Sequence, residues 1–271
     1  MEINSNYMKP VFLVGILSLM ISGARAQNIQ TDSVETGNAN RKGLKISVSY
    51  TKDKKDSTST TTSNPGFSFK VTFARLDLGF TKLVDNNSFS LSPANEFLQN
   101  KAWKTHNIGF DLLQFGYRFS SHFKVYLSGG FDWNHIQLTD QITIQRDQPT
   151  LNYTVDTVDY SKNRFTSSYL RIPLSFEFRS KDDNDGNKFH FVFGPEAGFF
   201  INGRVKQVSE TNGKQKFDDH YHFTQFRYGA FARVGYNGSG LYAKYYFNDM
   251  FENSPAQAGI NNMSFGLMLG F

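Results

Sequence analysis

The chain has six histidines and no cysteine, so any site chemistry must come from His, Ser, carboxylates and basic side chains. Disulfides, thiolate metal sites and a Cys nucleophile are excluded. His106, His122, His135, His190, His220 and His222 are the available metal ligands or general bases. His220 and His222 are two apart, which on a strand is one face, with Asp218 and Asp219 beside them. Such a set would hold a divalent ion loosely, but a polar loop tip accounts for it better. Ser167 or Ser168 would serve as a nucleophile only with a His and a carboxylate at the same rim, and no G-x-S-x-G or other local signature marks one. Asp182, Asp183, Asn184, Asp185 and Gly186 open like a calcium loop. The Glu at the twelfth position is missing, which leaves a solvated turn. The reading is therefore of no catalytic residue, no metal and no cofactor.

One further set has chemistry of a different kind. Arg75, Asp77, Arg171, Glu177, Glu196, Arg227 and Arg233 each alternate with apolar neighbours. In a strand that places them all on one face. Arg75 and Asp77 interleave with Leu76, Leu78 and Phe80; Arg171 and Glu177 with Leu170, Ile172, Leu174 and Phe176; Arg227 and Arg233 with Phe226, Tyr228, Ala232 and Val234. Lys124, Asp132, Arg179, His190 and Lys244 share that parity, with Gly and Ser filling the remaining places.

Eight segments carry the pattern: about 67–83, 105–119, 122–139, 165–179, 188–206, 222–237, 240–249 and 262–271. In the second, Ile108 and Phe110 are out of phase with Leu113, Phe115 and Tyr117, and a β-bulge near Leu112 restores the phase. Ser120-Ser121, Ser180–Asn187 and Asn237–Gly240 read as tight turns, while the connections near 84–104, 140–164, 207–221 and 250–261 are longer. Short turns on one side and long loops on the other describe a transmembrane barrel. Volume decides which face is inside. An eight-stranded barrel has room only for small groups and paired charges, and some thirty large apolar side chains do not fit there. The apolar face therefore points outward, towards lipid. Tyr117, Phe119, Trp133, Tyr236 and Tyr245 lie near strand ends, where aromatic rings favour the membrane interface.

The N-terminus agrees with export. Lys9, the apolar run Val11–Ile21 and Ala24-Arg25-Ala26 give the three regions of a signal peptide, with cleavage after Ala26 leaving 245 residues. The run is too short to span a bilayer as a helix. Met8 is a candidate initiator beside Met1. Removal of Glu2, Lys9 and Arg25 with that segment leaves 27 basic against 23 acidic residues. The basic residues are dispersed, which argues against nucleic acid as a partner. Phe, at 28 residues, is abundant in a chain of mean hydropathy −0.46, as expected where aromatics alternate with polar residues. Residues 27–66 form a polar N-terminal segment with one short strand at 44–50, expected outside the barrel as part of a periplasmic hairpin. Residues 67–271 form the barrel.

Ser168-Tyr169-Leu170-Arg171-Ile172-Pro173-Leu174, Phe193-Gly194-Pro195-Glu196-Ala197-Gly198 and Phe226-Arg227-Tyr228-Gly229-Ala230-Phe231-Ala232-Arg233-Val234-Gly235 resemble the Bacteroidota outer-membrane β-barrel family, the PorT-like group. Arg75-Leu76-Asp77-Leu78-Gly79-Phe80 is similar to the opening strand of such proteins. The resemblance covers about 67–271. It implies fold and location and brings no active site with it.

The sequence thus predicts an all-β chain, an eight-stranded antiparallel transmembrane barrel in the bacterial outer membrane. Its lumen is filled and its role is structural, or lies in interactions made by long surface loops. The alternatives are a component of a secretion or surface-assembly system and a lipid-directed enzyme. Expected partners are outer-membrane lipid, the barrel-insertion machinery and other envelope proteins met through the loops. Strands four to six put Arg171, Glu177, Arg179, His190, Glu196, Arg227 and Arg233 on the lumenal parity, and Glu177 and Glu196 are each expected to pair with at least one of these arginines.

The segment expected to be read by the insertion machinery is the last strand, where Phe265, Leu267, Leu269 and Phe271 share the apolar face. Phe271→Asp is expected to lower outer-membrane levels sharply. A charge at the interface costs only about 0–1 kcal/mol, so a large loss reports recognition, and unchanged levels on immunoblots of outer-membrane fractions would refute the role.

Overall fold

The computed structural model describes residues 45–47, 65–181, 183 and 187–270. The expected signal peptide and most of the 27–66 segment lie outside them, as does Phe271. The twelve strands are β1 (Lys45–Ser47), β2 (Gly66–Asp85), β3 (His106–Arg118), β4 (Phe123–Gln137), β5 (Ile142–Ile144), β6 (Tyr153–Val155), β7 (Tyr160–Arg179), β8 (Phe189–Ser209), β9 (Gly213–Asp219), β10 (Phe226–Tyr236), β11 (Ser239–Tyr246) and β12 (Ile260–Leu269). Eight of them form one sheet in the order β2-β12-β11-β10-β8-β7-β4-β3, and β3 pairs back onto β2. Every neighbouring pair in the ring is antiparallel, so the sheet is a closed eight-stranded antiparallel barrel.

The alternation that builds this barrel is plainest in β10. Phe226, Tyr228, Val234 and Tyr236 are exposed, whereas Arg227, Phe231 and Arg233 between them are buried. The large apolar side chains point out and the charges point in. Rings gather at both rims of the outward band. Phe67, Tyr117 and Phe119 meet edge to face in sequence at one end, with Phe189 against Tyr236. Phe110 meets Trp133, and Phe247 meets both Tyr228 and Tyr245, at the other. Offset and edge-to-face contacts of this kind suit amphipathic girdles.

Two local devices help to pin the register. Asp111 faces Gly130 and Leu113 faces Gly129, so Leu112 is the extra residue of a bulge in β3. It shifts the phase and keeps Phe110 and Phe115 both outward. Between β10 and β11, Asn237 and Gly238 have φ of 48° and 78°, the two left-handed positions of a type I′ hairpin turn.

The expected long connections turn out to be built structure. β7 and β8 remain paired as far as Tyr160 and Ser209, and β9 folds back onto β8 from Gly203 to Ser209. Residues 207–221 are therefore mostly strand. β5 and β6 make a separate hairpin within 140–164. The other correction concerns the short strand at 44–50. Its described part, β1, pairs parallel with Ser68–Lys70 of β2, so these two strands do not form a hairpin. Parallel neighbours need a crossover, and the two-strand hairpin geometry is closed to them.

Deleting Leu112 would remove the bulge and rotate Leu113, Phe115 and Tyr117 into the lumen. We expect such a variant to lose the heat-modifiable gel mobility of the folded barrel, while Leu112→Ala keeps it. Retained mobility after deletion would show that the register adapts.

Candidate functional site

The barrel interior is filled by an ion-pair network at mid-height. Three aspartates face inward from adjacent strands: Asp77 on β2, Asp111 on β3 and Asp132 on β4. Most of their partners reach them across the lumen from strands that are not their sheet neighbours. Arg171 on β7 donates from Nη1 to Asp77 at 2.6 Å and from Nε to Asp111 at 2.8 Å. Arg233 on β10 also reaches Asp77, at 3.1 Å. Arg227 bridges Asp132 at 2.5 Å, and Lys244 on β11 pairs with the same carboxylate. Arg75 completes the set through Asp111 at 3.2 Å and the Tyr126 hydroxyl at 2.9 Å. The side chains of Arg171 and Asp77 are both 0 % exposed. Ions in so dry a place are tolerated only when paired.

The sequence makes space for these long side chains by setting glycines beside them. Gly198 lies between Arg171 and Arg227 in one row of the sheet. A Cβ there would stand 2.7 Å from Arg227 Nε. Gly109 lies between Asp77 and Asp132, and its missing Cβ leaves the place taken by Arg171 Nη1, 2.5 Å away. Tyrosines fill what remains. The Arg227 guanidinium is held between the rings of Tyr169 and Tyr246, at 3.7 and 3.9 Å from their centroids. Tyr242 donates to Asn107 Oδ1 at 2.9 Å, and Asn107 in turn donates to Asp132 at 3.0 Å.

Towards the extracellular rim the same inward positions turn apolar. Leu83, Ile136, Phe165, Val205 and Ile260 continue the lumenal face and are buried. Over them pack Phe97 and Leu98 from a 3-10 turn, Ile142 and Ile144 from β5, and Tyr221, Phe223 and Phe251 from the last loops. Phe165, Phe223 and Phe251 stack on one another. Hydrogen bonds from Leu151 N–H to Ser254 Oγ and between His222 Nε2 and the Gln148 carbonyl tie separate loops together. At the other end Tyr126, Val192 and Phe231 form a smaller apolar plug.

Of the lumenal residues expected from the sequence, Arg75, Asp77, Arg171, Arg227 and Arg233 meet in the central network. Glu177 stands apart, near the periplasmic end, where Arg179 and His190 each contact its Oε1 at 2.8 Å. Glu196 corrects the expectation of an arginine partner. Among the described residues its carboxylate accepts from the hydroxyl of Tyr246, and the arginines nearby go to aspartates across the lumen. The reason is steric: within the sheet Glu196 faces Pro173 and Gly229, and the arginines are long enough to span the barrel. Asp111, Asp132, Lys244 and the four lumenal tyrosines complete the network. Asp111 directly precedes the bulge, where parity is hardest to read. Phe265, Leu267 and Leu269 face outward on β12, and Leu267 is 62 % exposed.

The histidine and serine candidates are not assembled into a site. Tyr221 and His222 have φ of 47° and 54°, so His220 and His222 lie in a turn, not on a strand face. His220 Nδ1 accepts from the His222 backbone N–H at 3.0 Å. Ser167 is buried in the lumen, whereas Ser168 faces the other way. Asp183 accepts from the Asn187 N–H at 2.8 Å; the rest of the acidic turn, apart from Asn187, lies outside the described residues.

The network predicts unequal costs. Asp132→Leu leaves Arg227 and Lys244 buried without their carboxylate and is expected to cost on the order of 3–5 kcal/mol. Glu196→Gln keeps an acceptor for Tyr246 and is expected to cost about 1 kcal/mol or less. Urea unfolding in detergent micelles measures both, and equal effects would refute the assignment.

A family model for the outer membrane protein beta-barrel domain matches residues 74–252. No curated protein matches the sequence. Two solved structures of Ail, the attachment invasion locus protein of Yersinia pestis, align with the chain at 12 % identity. One, in complex with the heparin analogue sucrose octasulfate, covers 76 % of this chain and 97 % of its own, with a TM-score of 0.30. The other covers 77 % and 99 %, with a TM-score of 0.29. The family model spans most of the chain and runs through six of the barrel strands in full: the chain belongs to the outer membrane protein β-barrel domain family.

Proposed function

We propose that this outer-membrane barrel is closed and non-catalytic and acts through its extracellular head as an interaction platform. The observation that carries the reading is the filled interior: an ion-pair network at mid-lumen, with an apolar core seated above it. An eight-stranded interior has no space for an aqueous path beside such contents. Loops that share a core and are tied to each other present a fixed surface, which is what binding without an ordering penalty requires. The signal-peptide reading of residues 1–26 and the insertion role of β12, with Phe265, Leu267 and Leu269 turned to lipid, belong to the same proposal.

The motif resemblance described above supports a finer placement, in the PorT-like group of Bacteroidota, and with it a role in a secretion or surface-assembly system. Capture of intact envelope complexes by the purified, tagged protein would favour that role over a solitary structural one.

Planar-bilayer recordings test the closed lumen. The purified protein is expected to give no stable, porin-sized conductance, and Arg171→Ala with Arg227→Ala is expected to raise leakage if the fold survives. A steady open channel from the unaltered protein would overturn the reading.

A further inference from the structure

Above the lipid-facing band, β7, β8 and β9 continue as a three-stranded sheet with two unlike faces. Val205 and Phe217 turn inward to the apolar head. The opposite face carries Lys162 and Arg164 on β7, Lys206 on β8, and Lys214 and Lys216 on β9. Arg164 lies directly opposite Lys206, and Lys206 directly opposite Lys216. Like charges in direct cross-strand register destabilise a sheet. Among the described residues none of the five has a carboxylate within 4 Å, and Arg164 Nε is buried without a hydrogen-bond partner. Asp218 is the one acid on the outward face of these strands, and Arg204 holds it with Nε at 2.5 Å and Nη2 at 3.0 Å. The crowding is felt electrostatically: Lys206 is pushed below the ordinary lysine range by desolvation and by Lys214, Lys162, Arg164 and Lys216.

The place of this ladder names its occupant. It lies on the face that carries the exposed Phe199 and Ile201 lower on β8. Ile201 is the extra residue of a bulge between Phe200 and Asn202, which puts the even-numbered residues beyond it on that outward face, and Lys206 is about 13 Å beyond Asn202 along the strand. A chain whose apolar band sits in the outer leaflet therefore holds the five cations at the level of that leaflet's head groups. We propose that the Lys162–Arg164–Lys206–Lys214–Lys216 face binds the phosphate groups of outer-leaflet lipid, clamping the head to the membrane surface. Arginine and lysine side chains in a row offer charge-assisted hydrogen bonds to phosphate oxygens, and a bound phosphate would relieve the repulsion between the strands. The inference rests on the outer-membrane placement and concerns the side of the head, leaving its apical surface free for the platform role.

The test uses the full-length barrel in non-ionic detergent, bis-phosphorylated lipid A as probe, and native mass spectrometry as readout. Arg164→Gln, Lys206→Gln and Lys216→Gln together are expected to weaken retention of lipid A roughly a hundredfold, given the contribution of each basic residue at an anionic surface. Arg118→Gln, Lys181→Gln and Lys188→Gln, which remove three cations at the other rim, are expected to change it little. The unaltered protein should hold dephosphorylated lipid A far more weakly, and added salt should release the phosphorylated form. Should the triple variant not fold, Lys214→Gln with Lys216→Gln, both on exposed β9, gives the same readout with roughly thirtyfold weakening expected. Equal retention by the charge-removed and unaltered proteins would overturn the proposal, as would equal retention of dephosphorylated lipid A. Displacement of lipid A by soluble polyphosphate at equal phosphate concentration would overturn the assignment to lipid. None of these outcomes bears on conductance or on capture of envelope complexes.

Discussion

Arg171 spans the lumen to reach Asp77 and Asp111 at once, and much else in the barrel is arranged around that reach. A guanidinium taken out of water must have carboxylates in its plane, and β2 and β3 supply one each. It also needs a clear path, so Gly109 and Gly198 stand where any side chain would collide with it or its neighbour. The rest of the interior follows from the same shortage of space. Arg227 is flanked by flat rings, and Asp132 serves two cations. An interior just wide enough for side chains leaves little alternative.

The outside answers to a different solvent. Lipid offers no hydrogen bonds, so the sheet must close and its outward residues must be apolar. Above the band the inward positions exchange charge for Leu83, Ile136, Phe165 and Val205, while the outward positions exchange phenylalanine for lysine and arginine. The two faces of β7 and β8 swap character at the membrane boundary, and the head is built on that exchange.

This division explains what was legible in the sequence. Strict alternation exposes β10 and the rest of the ring, because lipid and lumen impose opposite chemistry on successive residues. The bulge at Leu112 is visible as a break in that phase. The head is not, because Leu151, Tyr221, Phe223, Met250 and Phe251 follow no period; their burial is decided by contacts between separate loops. The partner of Glu196 was illegible for a related reason. Neighbouring strands can be paired from order alone, but contacts across the lumen depend on how far a side chain reaches and on which positions are glycine. Tyr126, Tyr169, Tyr242 and Tyr246 were hidden by their aromatic character, which in an outward-facing pattern reads as lipid contact.

The pairing of Arg171 with Asp77 across the lumen also sets an order of events. These residues stand on β7 and β2, three strands apart round the ring. On an open, uncurled sheet they are too far apart to meet, so each ion keeps its hydration until the wall bends round. Curling the sheet and drying the lumen are then a single step, since neither the arginine nor its aspartates can give up water until the other arrives. A partly closed barrel would hold water and charge within the bilayer, a state of high energy. The network thus contributes to all-or-none closure as well as to the finished fold.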